Sequence, residues 1–192
     1  MTPLGALLAL VGLALIAIPV YRAFASERPT SGSPDAASPP ADEALKQAVG
    51  AIDKKQFSLP AAAARYAKAI ATAEATNGMP TGLLARQLDI ESDHFAADVI
   101  SGERRSRAGA IGIAQFLPAT AAELGVDPTE PFQSIDGAGR YMRSLYNRFG
   151  DWGAALAAYN WGEGRVLLHG AGAAPPETKQ YVALILGAIG ST

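Results

Sequence analysis

"LLARQLDIES" (residues 83–92) is the stretch from which the fold and the site are inferred. Leu84, Leu88 and Glu91 follow at intervals of four and three residues, so they share one face of a helix. The leucines predict that this face is turned toward the interior, where a carboxyl tends to raise its pKa until it keeps its proton. Glu91 is therefore a candidate general acid. Alternatively, it pairs with a cation such as Arg86, or ends the helix at the surface.

The chain beyond residue 41 is rich in alanine, broken by glycine and proline, and poor in alternating β-branched residues. This pattern is typical of helices. Ser58 and Pro60 would open one helix, which Asn77 and Gly78 would end. The pattern predicts an all-α domain at 43–192, with helices at 43–56, 59–76, from about Pro80 to Ser92, in short pieces over 112–124, and at 134–149, 152–160 and 176–189.

Residues 4–20, "LGALLALVGLALIAIPV", contain no charged or hydrogen-bonding side chain. The run is about 26 Å long as a helix, the short end of what crosses a bilayer. We expect residues 1–25 to form a transmembrane anchor that crosses the membrane through residues 4–24. The alternative is a cleaved signal peptide, because Ala23–Ala25 has the small-x-small form of a cleavage site. Both interpretations export the rest of the chain.

Residues 26–42, "SERPTSGSPDAASPPAD", contain four prolines and four serines and almost nothing apolar. This composition predicts a disordered, fairly stiff linker. Fully extended, it would span about 56 Å, so the domain that follows could act at some distance from the membrane.

Composition excludes several kinds of function. The net charge of −2 provides no positive field for nucleic acid. The absence of cysteine rules out a thiolate metal site or a cysteine nucleophile, and two histidines make a zinc cage a poor expectation. We expect no cofactor and no metal.

Two further segments place polar side chains in apolar or narrow surroundings. Gln115 stands between Ala114 and Phe116, where its amide needs hydrogen-bond partners. Tyr159 and Asn160 come near the predicted end of an alanine-rich helix, where side chains can project into a groove. Each segment has a structural alternative. For Gln115, it is a glutamine whose hydrogen bonds lie inside the fold. For Asn160, it is an asparagine that ends the helix in the left-handed conformation.

Four motifs in order carry a resemblance: "ES" at 91–92, "GAIGIAQFLPATA" at 109–121, "AYNWG" at 158–162 and "PETKQYV" at 176–182. They resemble the motifs of the soluble lytic transglycosylase family, family 1, whose domains look like goose-type lysozyme. The resemblance covers roughly residues 68–189. It implies a lysozyme-like helical domain that cleaves the MurNAc–GlcNAc β-1,4 bond of peptidoglycan without water and leaves 1,6-anhydro-MurNAc.

The resemblance also implies roles for individual residues. Glu91 would be the catalytic acid. Five residues would form the substrate-binding set. Ser92 would position Glu91. Gln115 and Asn160 would hydrogen-bond the glycan, and Tyr159 and Tyr181 would line the site.

Partners and location follow as expectations. The expected partners are peptidoglycan strands and the membrane. The domain is expected to be exported to the periplasm or cell-wall space. It would act in bacterial wall remodelling, a secretion machine or a phage virion. One alternative is a goose-lysozyme-type hydrolase, which would need a second carboxylate about 6.5–9.5 Å away, with Asp93 and Asp98 as candidates. Another is a non-catalytic, membrane-anchored wall-binding module.

Overall fold

The computed structural model of the protein describes residues 58–188. The predicted anchor, the linker and the helix at 43–56 lie outside the described residues. Within residues 58–188, no helix has both the length and the apolar character needed to cross a membrane.

Residues 58–188 fold into eight α-helices and two short 3₁₀ helices, without a strand. The all-α prediction is therefore confirmed for this part of the chain. The 3₁₀ helices are Ala61–Tyr66 and Ala171–Ala173, and the α-helices are α1 (Ala67–Thr76), α2 (Leu83–Glu91), α3 (Ala97–Ile100), α4 (Pro118–Leu124), α5 (Pro131–Phe149), α6 (Trp152–Trp161), α7 (Glu163–His169) and α8 (Pro176–Ala188).

The predicted helix at 59–76 begins as a 3₁₀ helix, and Ser58 does not cap it, since the residue before the first turn is Pro60. The predicted pieces over 112–124 are partly wrong. Residues 112–117 form a tight loop, and α4 begins only at Pro118, where proline is tolerated in the first turn of a helix.

The centre of the domain is α6, which is apolar on nearly all sides. A helix of this kind belongs in the interior. It packs against α5, α7 and α8. Its buried residues are mostly small, which lets neighbouring helices approach closely: Gly153, Ala155, Leu156, Ala157 and Ala158.

Close packing also joins α1 to α5. A Cβ at Gly139 would lie 2.7 Å from Nδ2 of Asn77 and 3.2 Å from the Cβ of Ala73, so this position in α5 accepts only glycine without a shift. The helix α2, which carries Glu91, packs against both α1 and α8. The two helices beside α2 are thus themselves held by the core.

A buried carboxylate fixes the start of α2. Glu74, on α1, is 5% exposed, and its two oxygens accept hydrogen bonds from the backbone N–H groups of Gly82 at 2.9 Å and Ala85 at 3.0 Å. These N–H groups belong to the first turn of α2 and have no partner within the helix. The negative charge also stabilises the positive end of the helix dipole. Glu74 therefore locks the orientation of α2.

We predict that Glu74→Gln lowers the free energy of unfolding by about 1–3 kcal/mol, because the amide NH₂ would face a backbone N–H that then lacks an acceptor. Urea unfolding followed by circular dichroism measures this. Glu103→Gln, at an exposed position, is the matched control and should change little. Equal stability of the Glu74 and Glu103 variants would show that the hydrogen bonds of Glu74 do not hold α2.

Candidate active site

Glu91 is the last residue of α2, and the chain reverses sharply behind it. The Ser92 side chain is fully buried, and its hydroxyl donates to the carbonyl of Leu88 at 2.6 Å and accepts from the N–H of Phe95 at 3.0 Å. Both partners of Ser92 are backbone groups of the protein. Its hydroxyl therefore shapes the end of the helix and is turned away from solvent.

The reversal is made of three consecutive residues in the left-handed region. Asp93, His94 and Phe95 have φ of 53°, 60° and 60°, and none is glycine. Such residues cost roughly 1–2 kcal/mol each. The surroundings hold them in place. The backbone N–H of His94 donates to the carbonyl of Asp89 at 2.7 Å, and Arg104 binds the Asp93 carboxylate at 2.8 Å.

Asp89 is the buried anchor of this turn. Its side chain is 1% exposed and bonds Arg86 at 2.6 Å and the Nδ1 of His94 at 3.1 Å. Because Asp89 lies two residues before Glu91 in α2, it points to another face of the helix. Its carboxylate supports the turn from the side opposite Glu91.

Tyr181 of α8 contacts the Glu91 carboxyl directly. Its hydroxyl donates to Oε1 of Glu91 at 2.7 Å. Burial raises the pKa of Glu91 from the usual 4.5 to about 7, and the hydrogen bond from Tyr181 lowers it in part. Burial, followed by the nearby Glu91 charge, raises the pKa of Tyr181 well above its usual value, so this hydroxyl stays protonated as a donor. Glu91 is therefore balanced between acid and carboxylate near neutral pH.

Gln115 lies at the tip of the loop that replaces the predicted helix. Ile111 and Phe116 pair as an isolated antiparallel bridge, and Gln115 between them has φ of 49°. Its Nε2 donates to the carbonyl of Gly112 at 2.9 Å, which fixes the plane of the amide. A Cβ at Gly112 would lie 1.8 Å from the carbonyl oxygen of Pro128, so only glycine fits there. The shape of the loop therefore depends on the close approach of Gly112 to Pro128.

Tyr159 joins this loop to the site. Its hydroxyl donates to the carbonyl of Ala114 at 2.6 Å, and its ring lies beside those of Phe116 and Tyr141. Tyr159 is also near enough to Tyr181 to contribute to its raised pKa. Glu91, Tyr181, Tyr159 and the Gln115 loop thus form one continuous cluster.

Asn160 is held by a residue that the sequence reasoning missed. Oγ1 of Thr178, whose side chain is 3% exposed, donates to Oδ1 of Asn160 at 2.8 Å. With its oxygen so occupied, Asn160 presents its NH₂ as the free end of the amide. Thr178 precedes Tyr181 by three residues, so one face of α8 holds both Asn160 and Glu91. The sequence did contain a signal for Thr178, because this threonine stands one helical turn before Tyr181 of the same motif.

Among residues 58–188, no three His, Cys, Asp or Glu side chains are grouped so as to hold a metal ion. The site as described consists of a carboxyl, two tyrosines and two amides.

Comparison with known proteins identifies the class to which this fold and site belong. The model of the transglycosylase SLT domain matches residues 68–182, more than half of the chain. The chain therefore belongs to this family. A curated relative, a transglycosylase of Enterobacteria phage PRD1, is 43% identical over 58 residues, which cover 30% of this chain and 22% of the relative. The match thus spans only about a fifth of that phage protein.

The raised pKa of Glu91 makes stability depend on pH. Between pH 4.5 and about 7, the folded protein keeps a proton that the unfolded chain has released, so stability falls as the pH rises through this window. Glu91→Gln removes the titration but keeps an acceptor for Tyr181. We predict that the variant is more stable than wild type by about 2–3 kcal/mol near pH 8, with little difference near pH 4.

Urea unfolding of wild type, Glu91→Gln and the exposed Glu103→Gln at the two pH values tests this prediction. A stability difference between wild type and Glu91→Gln that is the same at both pH values would contradict the raised pKa.

Proposed function

We propose that this protein is a peptidoglycan lytic transglycosylase that cleaves the MurNAc–GlcNAc β-1,4 bond and leaves a 1,6-anhydro-MurNAc end. The observation that carries the proposal is the state of Glu91, a partly buried carboxyl with a pKa of about 7 whose Oε1 accepts from Tyr181. Family membership supports the same activity.

Each step uses the two states of this carboxyl. With Oε1 occupied by Tyr181, Oε2 carries the proton and gives it to the departing glycosidic oxygen. The acetamido carbonyl of the substrate supports the positive charge that develops on the sugar. The Glu91 carboxylate then takes the proton of the 6-hydroxyl as that oxygen closes onto C1. The acid is regenerated, and no water is consumed.

The aspartates near Glu91 are poorly suited to the hydrolase alternative. Asp89 is paired with Arg86, whereas Asp93 and Asp98 both bind Arg104, at 2.8 and 2.7 Å. The hydrogen bond from Arg104 holds the pKa of Asp98 below its usual range, which makes it a weaker base. A hydrolase of the inverting type needs a basic carboxylate that holds water. A single-carboxyl mechanism fits these pairings better.

Recognition of the glycan would fall to the amides and rings around Glu91. Asn160 offers an N–H donor, because Thr178 occupies its oxygen, and an acetamido carbonyl is the matching acceptor on the substrate. Tyr159 and Gln115 lie on the loop side of the same cluster. Tyrosine suits a sugar face, since its ring covers apolar surface while its hydroxyl bonds elsewhere.

The location remains a proposal from sequence. Residues 4–24 would anchor the chain in a membrane, and the linker at 26–42 would let the domain reach the wall from the periplasmic or outer side. Local opening of the wall serves bacterial remodelling, a secretion machine or phage entry. The phage origin of the PRD1 relative supports the last of these.

Mass spectrometry of digested peptidoglycan tests the reaction. We expect wild type to release anhydro-muropeptides, lighter by one water molecule than hydrolysed products, and Glu91→Gln to reduce turnover by about 10²- to 10⁴-fold. Reducing-end products would instead indicate the hydrolase. Glycan binding without any product would leave a wall-binding module.

The role of Thr178 in holding Asn160 gives a separate prediction. Thr178→Val keeps the shape but loses the hydroxyl, so the Asn160 amide is free to turn. In the Glu91→Gln background, where no turnover intervenes, calorimetry should show affinity for a muropeptide oligosaccharide about 3- to 10-fold weaker. Thr178→Ser, which keeps the hydroxyl, should bind nearly as before. Equal affinity of the valine and serine variants would contradict the proposed orientation.

A further inference from the structure

A buried amide lies one helical turn before Glu91. Gln87 is 0% exposed and precedes Glu91 by four residues in α2, so the two side chains are on the same face. Neither Oε1 nor Nε2 of Gln87 has full hydrogen-bond geometry with any residue from 58 to 188. A buried amide in this state costs about 1–3 kcal/mol. Packing alone would be better served by leucine or methionine.

The amide of Gln87 lies on the side of α2 that faces the Glu91–Tyr181 pair, since Gln87 and Glu91 share one face of the helix and Tyr181 bonds Oε1 of Glu91 at 2.7 Å. It lies close enough to Tyr181 to lower the pKa that burial and the Glu91 charge raise. An amide has this effect as a donor, through Nε2–H directed at the phenol oxygen. The hydrogen of Tyr181 is already given to Oε1 of Glu91 at 2.7 Å, so the lone pairs of its oxygen remain for an N–H donor.

We propose that Gln87 is a positioning residue that donates Nε2–H to the Tyr181 hydroxyl in the working enzyme and so keeps that hydroxyl donating to Glu91. The proposal rests on the proposed function, in which Glu91 is the acid and then the base. A short movement of the amide completes the Gln87–Tyr181–Glu91 chain.

The direction of these hydrogen bonds decides which oxygen of Glu91 carries the proton. While Tyr181 donates to Oε1, the carboxyl proton is favoured on Oε2, the oxygen left for substrate, because a C=O oxygen is a better acceptor than a C–O–H oxygen. If Tyr181 turned and accepted instead, the proton would sit on Oε1 and point at Tyr181. A donor at the Tyr181 oxygen opposes that reversal, because the tyrosine is then already accepting. The same donor makes the Tyr181 hydroxyl a stronger hydrogen-bond donor to the Glu91 carboxylate during the second step, in which Glu91 acts as the base.

A double-mutant cycle with the full chain in detergent tests the proposal, using Gln87→Met and Tyr181→Phe singly and together. We expect Gln87→Met to lower kcat about 3- to 10-fold on peptidoglycan and to have no further effect in the Tyr181→Phe background. Gln87→Met should not lower the unfolding midpoint, because it removes an amide lacking full hydrogen bonds. Gln180→Met, at an exposed position of α8, is the matched control and should keep wild-type kcat.

A second readout does not depend on turnover. In ¹³C NMR titration of the Glu91 carboxyl, Gln87→Met should move the midpoint to higher pH, and this shift should vanish when Tyr181 is phenylalanine. Wild type without muropeptide products would overturn the proposed function, whereas the titration would still test the chain of hydrogen bonds. Unchanged kcat and titration in Gln87→Met, or losses that add to those of Tyr181→Phe, would overturn the role of Gln87.

Discussion

The hydrogen bond from Tyr181 to Glu91 is the interaction on which the site depends. Burial alone would drive the Glu91 pKa upward, and the 2.7 Å bond limits that rise, so that the pKa settles at about 7. A group near that value serves as donor and acceptor with similar ease. The bond joins α2 to α8, and its length therefore depends on how both helices pack. The small residues of α6 let α8 approach, and Glu74 fixes the start of α2.

Sequence reasoning located Glu91 because a carboxyl interrupts an apolar face at helical spacing. The same reasoning could have found Gln87, which stands one turn earlier on that face and is just as unusual among leucines. It failed at residues 112–117, where apolar residues suggested a helix. There the backbone of Gly112 packs against Pro128, which is distant in sequence, so closely that a Cβ would lie 1.8 Å from the Pro128 carbonyl oxygen. Spacing predicts which face of a helix a residue occupies, whereas tertiary contacts decide whether the helix forms.

The orientation of side chains was harder to predict than their position. Asn160 and Gln115 were expected to bond a ligand, but each amide also has a partner within the protein, Oγ1 of Thr178 and the carbonyl of Gly112. Those internal bonds determine which end of each amide is left to face outward. No motif contains this information, because it arises from a second residue that the motif does not single out.

The two ends of α2 differ in their energetic role. At the start, Glu74 satisfies two backbone donors, and Leu83 and Leu84 are fully buried, so this end stabilises the fold. At the other end, a carboxyl of raised pKa is followed by a left-handed turn, both of which cost stability. A rigid first turn makes this arrangement possible, since the strained end then cannot relax by shifting the helix. The Glu91 carboxyl can be held in unfavourable surroundings because the opposite end of the same helix is anchored.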